Sequence, residues 1–223
     1  MRDLRKKRRE LRYQQNRNFI LEVAEEIFAR YGYSQTTMDQ IAHEAQFSKA
    51  TLYRYFQGKQ ELFFHVILKT LQELASQLAE IRLKNITPEE KIKECVHCIF
   101  RFYHHKKNIG RAFFLEKMIS QKARKIVLEN QPPRVPQIIR KKFQDVSRTL
   151  SDIISEGIKA GVFTQVDEED ASFVLGSLIR GFVFRGPFRW KEYSTQRASE
   201  LVSRYFLFGI AKNKQTLKIK QGV

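Results

Sequence analysis

Residues 36–62 decide the fold of this chain, and they read TTMDQIAHEAQFSKATLYRYFQGKQEL. Thr37 stands three residues before Gln40, which is the spacing of a capping box and predicts that a short helix begins there. Ser48 is a second N-cap candidate and predicts another short helix over residues 49–55. Two short helices joined by a tight turn, the second rich in Tyr, Arg, Lys and Thr, are what a helix-turn-helix requires.

Helical periodicity continues on both sides of this segment. Upstream, apolar residues recur at three- and four-residue intervals from Phe19 to Phe28, and this helix is predicted to end near Gly32. Downstream, Gly58 separates the second short helix from a long helix that begins at Lys59. We therefore predict an all-α fold of about nine helices, a three-helix domain followed by a larger helical domain. The later helices are predicted near Thr87–Tyr103, Ile109–Ile119, Ile139–Gly161, Asp167–Phe182 and Ser194–Ile210.

The charge of the chain is strongly positive and unevenly distributed. Its 223 residues include 41 Lys and Arg against 24 Asp and Glu, a formal net charge of +17. Residues 1–12 carry seven basic and two acidic side chains, 13–60 carry five of each, and 61–223 carry 29 basic and 17 acidic. The 42% hydrophobic content excludes a disordered polycation, so the charge indicates a polyanionic partner: nucleic acid first, an anionic membrane second.

Other signals exclude several classes of protein. No apolar run approaches the roughly 18 residues of a membrane-spanning helix, and no secretory signal is visible, so we expect a cytoplasmic protein without a membrane partner. Two cysteines are too few for a disulfide framework and fit a reducing compartment. No phosphate loop, nucleophile elbow or zinc motif is present, so we predict no enzyme activity and no cofactor.

The segment Cys95-Val96-His97-Cys98 invites a metal or redox interpretation. On a helix, however, Cys95 lies in the apolar stripe, Cys98 flanks it and His97 points elsewhere. His104 and His105 lie two turns away, about 10 Å along the axis, so one ion could not collect these side chains. A redox pair also needs a helix N-terminus to lower the thiol pKa, whereas this pair is in mid-helix. We favour a core role and predict no metal.

The quoted segment resembles the DNA-binding signature of TetR-family repressors, in residue type and spacing over some two dozen positions. The resemblance extends over about residues 14–64 and implies a dimeric DNA-binding protein with a helical C-terminal sensor domain. Gln46 departs from the family pattern, which commonly has Gly in the turn. A positive φ at Gln46 would cost roughly 1 kcal/mol.

The resemblance also implies roles for individual side chains. Lys49, Ala50 and Tyr53 are expected to face base edges, where a cation can reach guanine and a methyl group can contact thymine. For Tyr53 and Tyr55 the alternative is aromatic packing within the domain, and the spacing makes Leu52 and Phe56 better core candidates. The side chains expected to hold phosphates are Thr37, Thr51, Arg54, Tyr55 and Lys59.

The domain division follows from the charge distribution and the resemblance. We predict a basic flexible arm over 1–12, a helix-turn-helix domain over 13–60, a helical effector-binding and dimerisation domain over 61–212, and a basic tail over 213–223. The arm either adds DNA contacts, including minor-groove ones, or is a solvated tail. The last two long helices present wide apolar faces, which are expected to pair in a homodimer. The interface residues predicted are Leu175, Leu178, Phe182, Leu201, Val202, Tyr205 and Phe206.

The predicted function is an effector-responsive transcriptional regulator, most simply a repressor that binds a palindromic double-stranded DNA operator as a dimer. The effector-binding residues are not identifiable from spacing. An amphipathic anion such as a fatty acid or acyl thioester is one hypothesis for the effector, and a neutral hydrophobic molecule is the next. Two alternatives stay open: a nucleic-acid-binding architectural protein without a ligand, and an oxidoreductase that uses the two cysteines.

Overall fold

The structure is a computed structural model that describes residues 2–106, 134–183 and 193–211. These residues confirm the all-α fold, since they form eight helices and their β pairing is limited to an isolated bridge between Phe163 and Ala211. The predicted helix near 109–119 and the basic tail over 213–223 lie outside the described residues. The helices are α1 (Arg2–Gln35), α2 (Met38–Glu44), α3 (Lys49–Tyr55), α4 (Lys59–Arg82), α5 (Pro88–His105), α6 (Arg134–Lys159), α7 (Glu168–Val183) and α8 (Thr195–Ile210).

The chain divides into two compact units. The first contains the described residues up to Thr70, together with 106 and 134–139. The second contains 71–105, 140–183 and 193–211. The long helix α4 therefore contributes its first turns to one unit and its last turns to the other.

The first unit is built on the predicted start and stop signals. The backbone of α1 leaves helical geometry at Gly32 (φ 77°, ψ 168°), a conformation that glycine adopts at little cost. Thr37 and Gln40 form the predicted capping box at the start of α2, and the Ser48 hydroxyl accepts a hydrogen bond from the Thr51 amide at the start of α3. The apolar faces of these helices close over one small core. Its members include Ile20, Ala24, Phe28, Ile41, Leu52, Phe56, Leu62 and Phe63.

The N-terminal arm differs from the prediction. Residues 2–12 continue α1 as a helix, where we expected a flexible arm. Arg, Lys, Leu, Glu and Gln are all good helix formers, and extending a helix that is already nucleated adds one hydrogen bond per residue. The side chains of residues 4–15 are exposed, so this extension displays its cations to solvent.

The second unit has a larger core, formed where α5, α6, α7 and α8 meet the end of α4. Phe163 lies against Gly157, where an added Cβ would be 2.1 Å from its ring, so only glycine permits this approach. Two ion pairs join three helices. Glu156 of α6 pairs with Arg82 of α4 (3.0 Å) and with Lys91 of α5 (2.9 Å). Within the described residues, no helix is both long and apolar enough to span a bilayer.

The two cysteines belong to this core. Cys95 is 0% exposed and Cys98 5%, and both thiols are free. Burial raises the pKa of Cys95 to about 12, and burial also raises the pKa of Cys98, so neither thiol is poised as a thiolate. Their core role is confirmed.

The predicted dimer face is partly buried within its own subunit. Leu175, Val202 and Phe206 are 0%, 2% and 5% exposed within their own subunit, because α7 and α8 turn these side chains inward. These three side chains leave little surface for a partner. Leu178 and Tyr205 are exposed, and Phe182 and Leu201 are half-buried. Three further apolar side chains on the same two helices are exposed: Phe173, Val174 and Phe208.

Candidate nucleic-acid interface

The turn between α2 and α3 is tight, as a helix-turn-helix requires. Ala45 ends α2, and the amide of Phe47 donates to the carbonyl of Ala42 (2.9 Å). Gln46 between them has φ 56°, the left-handed conformation that the sequence analysis considered for this position. A non-glycine residue there costs about 1 kcal/mol, which the chain tolerates without losing the turn.

The orientation of α3 follows from its buried side. Leu52 is 0% exposed and Phe56, which caps the helix, is 1% exposed, so this edge is anchored in the core as predicted. On the opposite side, Lys49, Ala50 and Tyr53 are exposed. These are the three residues expected to face base edges, and helical geometry places them on one side of α3.

Lys49 is not a free cation. Its ammonium lies 2.8 Å from one carboxylate oxygen of Asp39 and 3.0 Å from the other, across the two helices of the motif. The hydrogen bond and the charge of Asp39 raise the pKa of Lys49, so it stays protonated. Both side chains are more than 60% exposed, so the pair is weak and a base or phosphate can displace Asp39.

The remaining exposed polar groups flank this face. Thr37 is exposed at the start of α2, with its hydroxyl oxygen accepting from the Gln40 amide (3.2 Å). Thr51 is half-buried and its hydroxyl lies 2.9 Å from that of Ser48 and accepts from Arg54 (3.4 Å). Arg54 itself is exposed, so its guanidinium retains donors for a phosphate.

Tyr55 lies in a different environment from Tyr53. Its ring stacks on Tyr13 with centroids 4.8 Å apart, and its hydroxyl accepts a hydrogen bond from Asn16 (3.1 Å). The aromatic-packing alternative therefore describes Tyr55, whereas the exposed ring of Tyr53 remains available. Tyr55 fixes α3 to α1, and its phosphate role stays a prediction.

Lys59 also has structural partners. Its ammonium donates to the backbone carbonyls of Tyr33 (3.0 Å) and Thr36 (2.9 Å) and lies 4.5 Å from the centre of the Tyr33 ring. Two of its three N–H donors are thus committed to holding the start of α4 against the segment that precedes α2. The third donor is what remains for a phosphate.

The sequence analysis missed three residues of this region. Tyr13 and Asn16 lie one turn apart on α1, and that spacing is a signal that could have found them as one contact surface. Asp39 pairs with a residue on another helix, so no spacing rule within one element reveals it. Elsewhere in the described chain, no three His, Cys, Asp or Glu side chains are grouped as a metal site.

Comparisons with known proteins identify relatives of this chain. Residues 20–66 match the family model of bacterial regulatory proteins, tetR family. A curated relative, the uncharacterized HTH-type transcriptional regulator YhgD of Bacillus subtilis (strain 168), is 25% identical over 200 residues, which is 88% of this chain and 97% of the relative.

Two solved structures share the fold over nearly the whole chain. The transcriptional regulator FadR from Bacillus subtilis, in complex with stearoyl-CoA, has a TM-score of 0.67 and 21% identity, covering 86% of this chain and 98% of its own. A transcriptional regulator from Saccharomonospora viridis, in complex with choline, has a TM-score of 0.74 and 18% identity, covering 90% and 100%. At these identities the likeness shows a common fold.

Proposed function

Because the chain belongs to the TetR family of transcriptional regulators and binds DNA through its helix-turn-helix, we propose that it is a homodimeric repressor of a palindromic operator, released by a small effector. The observation that carries the proposal is the exposed face of α3. Lys49, Ala50 and Tyr53 are presented together, on a helix whose other side is anchored by Leu52 and Phe56. A rigidly anchored helix with a mixed polar and apolar face is suited to base-edge contacts in the major groove.

The phosphate contacts are proposed for residues around that face. Arg54 and Thr37 have exposed side chains, and the half-buried Thr51 lies within hydrogen-bond distance of Arg54. The helical extension of α1 adds Arg5, Arg8 and further cations, which would strengthen binding to any DNA by counterion release.

The proposed dimer uses the exposed apolar side chains of α7 and α8. Phe173, Val174 and Leu178 on α7 are 66%, 50% and 37% exposed, and Tyr205 and Phe208 on α8 are 68% and 40% exposed. Large apolar side chains grouped on adjacent helices mark interaction surfaces, and a two-fold dimer buries the same patch on both subunits. Two subunits would then place their α3 helices in successive major grooves, about 34–36 Å apart.

A buried carboxylate holds α1 in the first unit by ion pairs. Glu25 of α1 is 6% exposed, and its carboxylate pairs with Lys69 of α4 (3.7 Å) and with Lys106, the residue that follows α5.

An amphipathic anion is favoured as the effector because the chain outside residues 1–60 has 29 basic and 17 acidic side chains. The stearoyl-CoA complex of the Bacillus subtilis neighbour supports an anionic acyl ligand, whereas the choline complex of the other neighbour supports a cation.

Selection of bound sequences from a random DNA library tests the proposal directly. The full-length protein should enrich an inverted repeat, and a footprint on it should cover two half-sites one helical turn apart. Enrichment of no sequence, with tight binding to all DNA, would favour the architectural alternative. Sedimentation of a wild-type monomer at micromolar concentration would remove the dimer from the proposal.

A further inference from the structure

A groove of about 740 Å³ lies within the second unit, between α4, α5 and α8. Its volume is in the range of small-molecule sites, about 300–1,000 Å³. Three of the side chains lining it are apolar and almost fully covered: Ile81 is 8% exposed, Cys98 5% and Leu207 0%. Because three helices contribute to the walls, a molecule bound there would contact all three.

The charged side chains around the groove do not balance. Five basic and three acidic side chains line it. Lys84 pairs with Glu94 (2.5 Å), and Arg197 pairs with Glu200 (3.5 Å), so two charges of each sign are already matched. The unmatched groups are three cations and one carboxylate.

The three unmatched cations, Lys93, Arg101 and Arg204, form what we call the basic rim. None of them has a hydrogen bond or an ion pair to another residue in the described part of the chain, and all three are exposed. They come from two helices, α5 and α8, and a single unmatched acid, Glu80, lines the same groove. Guanidinium groups bind carboxylates and phosphates with two parallel hydrogen bonds, and such charge-assisted bonds are stronger than neutral ones.

We propose that this groove binds an amphipathic anion, a carboxylate or phosphate ester on an apolar body. The basic rim holds the acidic group, and the apolar wall of the groove, which includes Ile81 and the half-buried Leu201, holds the apolar part. Charge complementarity disfavours a cation, which would meet three like charges and one carboxylate. The inference rests on the proposed function only in treating the bound anion as the effector.

Alkylation of Cys98 at alkaline pH, which offsets the raised pKa of this thiol, provides a local test, because Cys98 lines the groove whereas Cys95 does not. Decanoate is the probe, with decanol and decyltrimethylammonium as neutral and cationic controls, and tandem mass spectrometry separates the two cysteines. Decanoate should slow the alkylation of Cys98, and the two controls should do so much less. Equal protection by all three molecules, or none by decanoate, would overturn the proposal.

Substitutions in the basic rim test whether decanoate binding requires its positive charges. Arg101→Gln and Arg204→Gln should each raise the decanoate concentration needed for half protection by about tenfold, as expected for one lost charge-assisted hydrogen bond. Arg148→Gln is the matched control, since Arg148 is exposed on α6 and does not line the groove. It loses the same charge and should leave protection unchanged. If the three variants behaved alike, the electrostatic field of the whole protein, and not the groove, would explain decanoate binding.

The affinity for DNA is measured separately on the same samples. If decanoate protects Cys98 but leaves DNA affinity unchanged, the groove is a ligand site and the anion is not the effector. If an effector releases DNA without protecting Cys98, the proposed function stands and this inference fails. If Cys98 becomes slower to alkylate as the concentration of protein alone rises, a second copy of the chain covers the groove and the inference also fails.

Discussion

The two units of the molecule are stabilised by contacts of very different range along the chain. In the first unit, the caps of α2 and α3 join residues three apart, Thr37 to Gln40 and Ser48 to Thr51. In the second unit, Lys91 reaches Glu156 across 65 residues, and the Thr164 hydroxyl reaches the Ile210 carbonyl across 46. Local capping can be read from a sequence, whereas contacts between distant segments require the fold to exist first.

Some contacts in the first unit also join residues that are far apart in the chain. Lys59 binds carbonyl groups 23 and 26 residues before it, and Lys49 binds Asp39 ten residues before it. Both are residues to which the resemblance assigned DNA contacts. A lysine at a family position can thus serve the fold, the ligand, or both, and its position in the sequence does not distinguish these roles.

The largest expected effect separates the inner and outer faces of α8. Phe206→Ala removes a side chain that is 5% exposed and should lower the free energy of unfolding by about 3–5 kcal/mol, because it leaves a cavity in the second unit. Urea unfolding at fixed protein concentration measures this. Phe208→Ala, at a position 40% exposed, is the control and should cost far less stability while weakening the dimer. Similar losses for both variants would contradict the two-faced description of α8.

A smaller effect tests whether Lys59 serves the fold. Lys59→Met keeps the aliphatic chain but loses two hydrogen bonds to carbonyl groups, so it should lower the free energy of unfolding by about 1–3 kcal/mol. Lys49→Met should leave stability unchanged, because its ion pair with Asp39 is exposed. If Lys59→Met weakened DNA binding at full stability, Lys59 would be a phosphate contact and not a structural one.

The third prediction divides base contacts from phosphate contacts. Lys49→Ala should reduce discrimination at one or two operator positions by about 5- to 150-fold, as for the loss of one base contact. Arg54→Ala should weaken binding to all sequences nearly alike and reduce the salt dependence by about one unit. Competition binding at several salt concentrations measures both. Equal losses of sequence preference would show that the two roles are wrongly assigned.

The smallest effect concerns the turn. Gln46→Gly should raise the stability by up to about 1 kcal/mol, because glycine adopts the φ of 56° without the steric cost. Gln57→Gly is the control: Gln57 is exposed, outside a helix and without a positive φ, so glycine there should only add entropy to the unfolded chain and destabilise it. Thermal unfolding compares them, and a loss of stability in Gln46→Gly would contradict the strained-turn description.

Most of the first unit was predictable from the sequence, and so was the exposed face of α3. Thr37, Ser48, Gly58 and the spacing of Leu52 and Phe56 are local signals, each with a physical cause within a few residues. The helical state of residues 2–12 was misjudged, because a dense charge cluster was taken to be flexible although its residues favour a helix. The different roles of Tyr53 and Tyr55 were not predictable, since a tyrosine at either position suits both aromatic packing and DNA contact.

By itself, the sequence determined the all-α class, the position of the helix-turn-helix and the burial of the two cysteines, because helix periodicity, caps and apolar spacing act over one or two turns. The tertiary structure decided which side of α7 and α8 faces the core, where the Lys59 ammonium binds, and that Lys93, Arg101 and Arg204 share one groove. An amphipathic helix with a wide apolar face can bury either edge of that face. Which edge is buried depends on the helices it meets, and those come from segments tens of residues away in the chain.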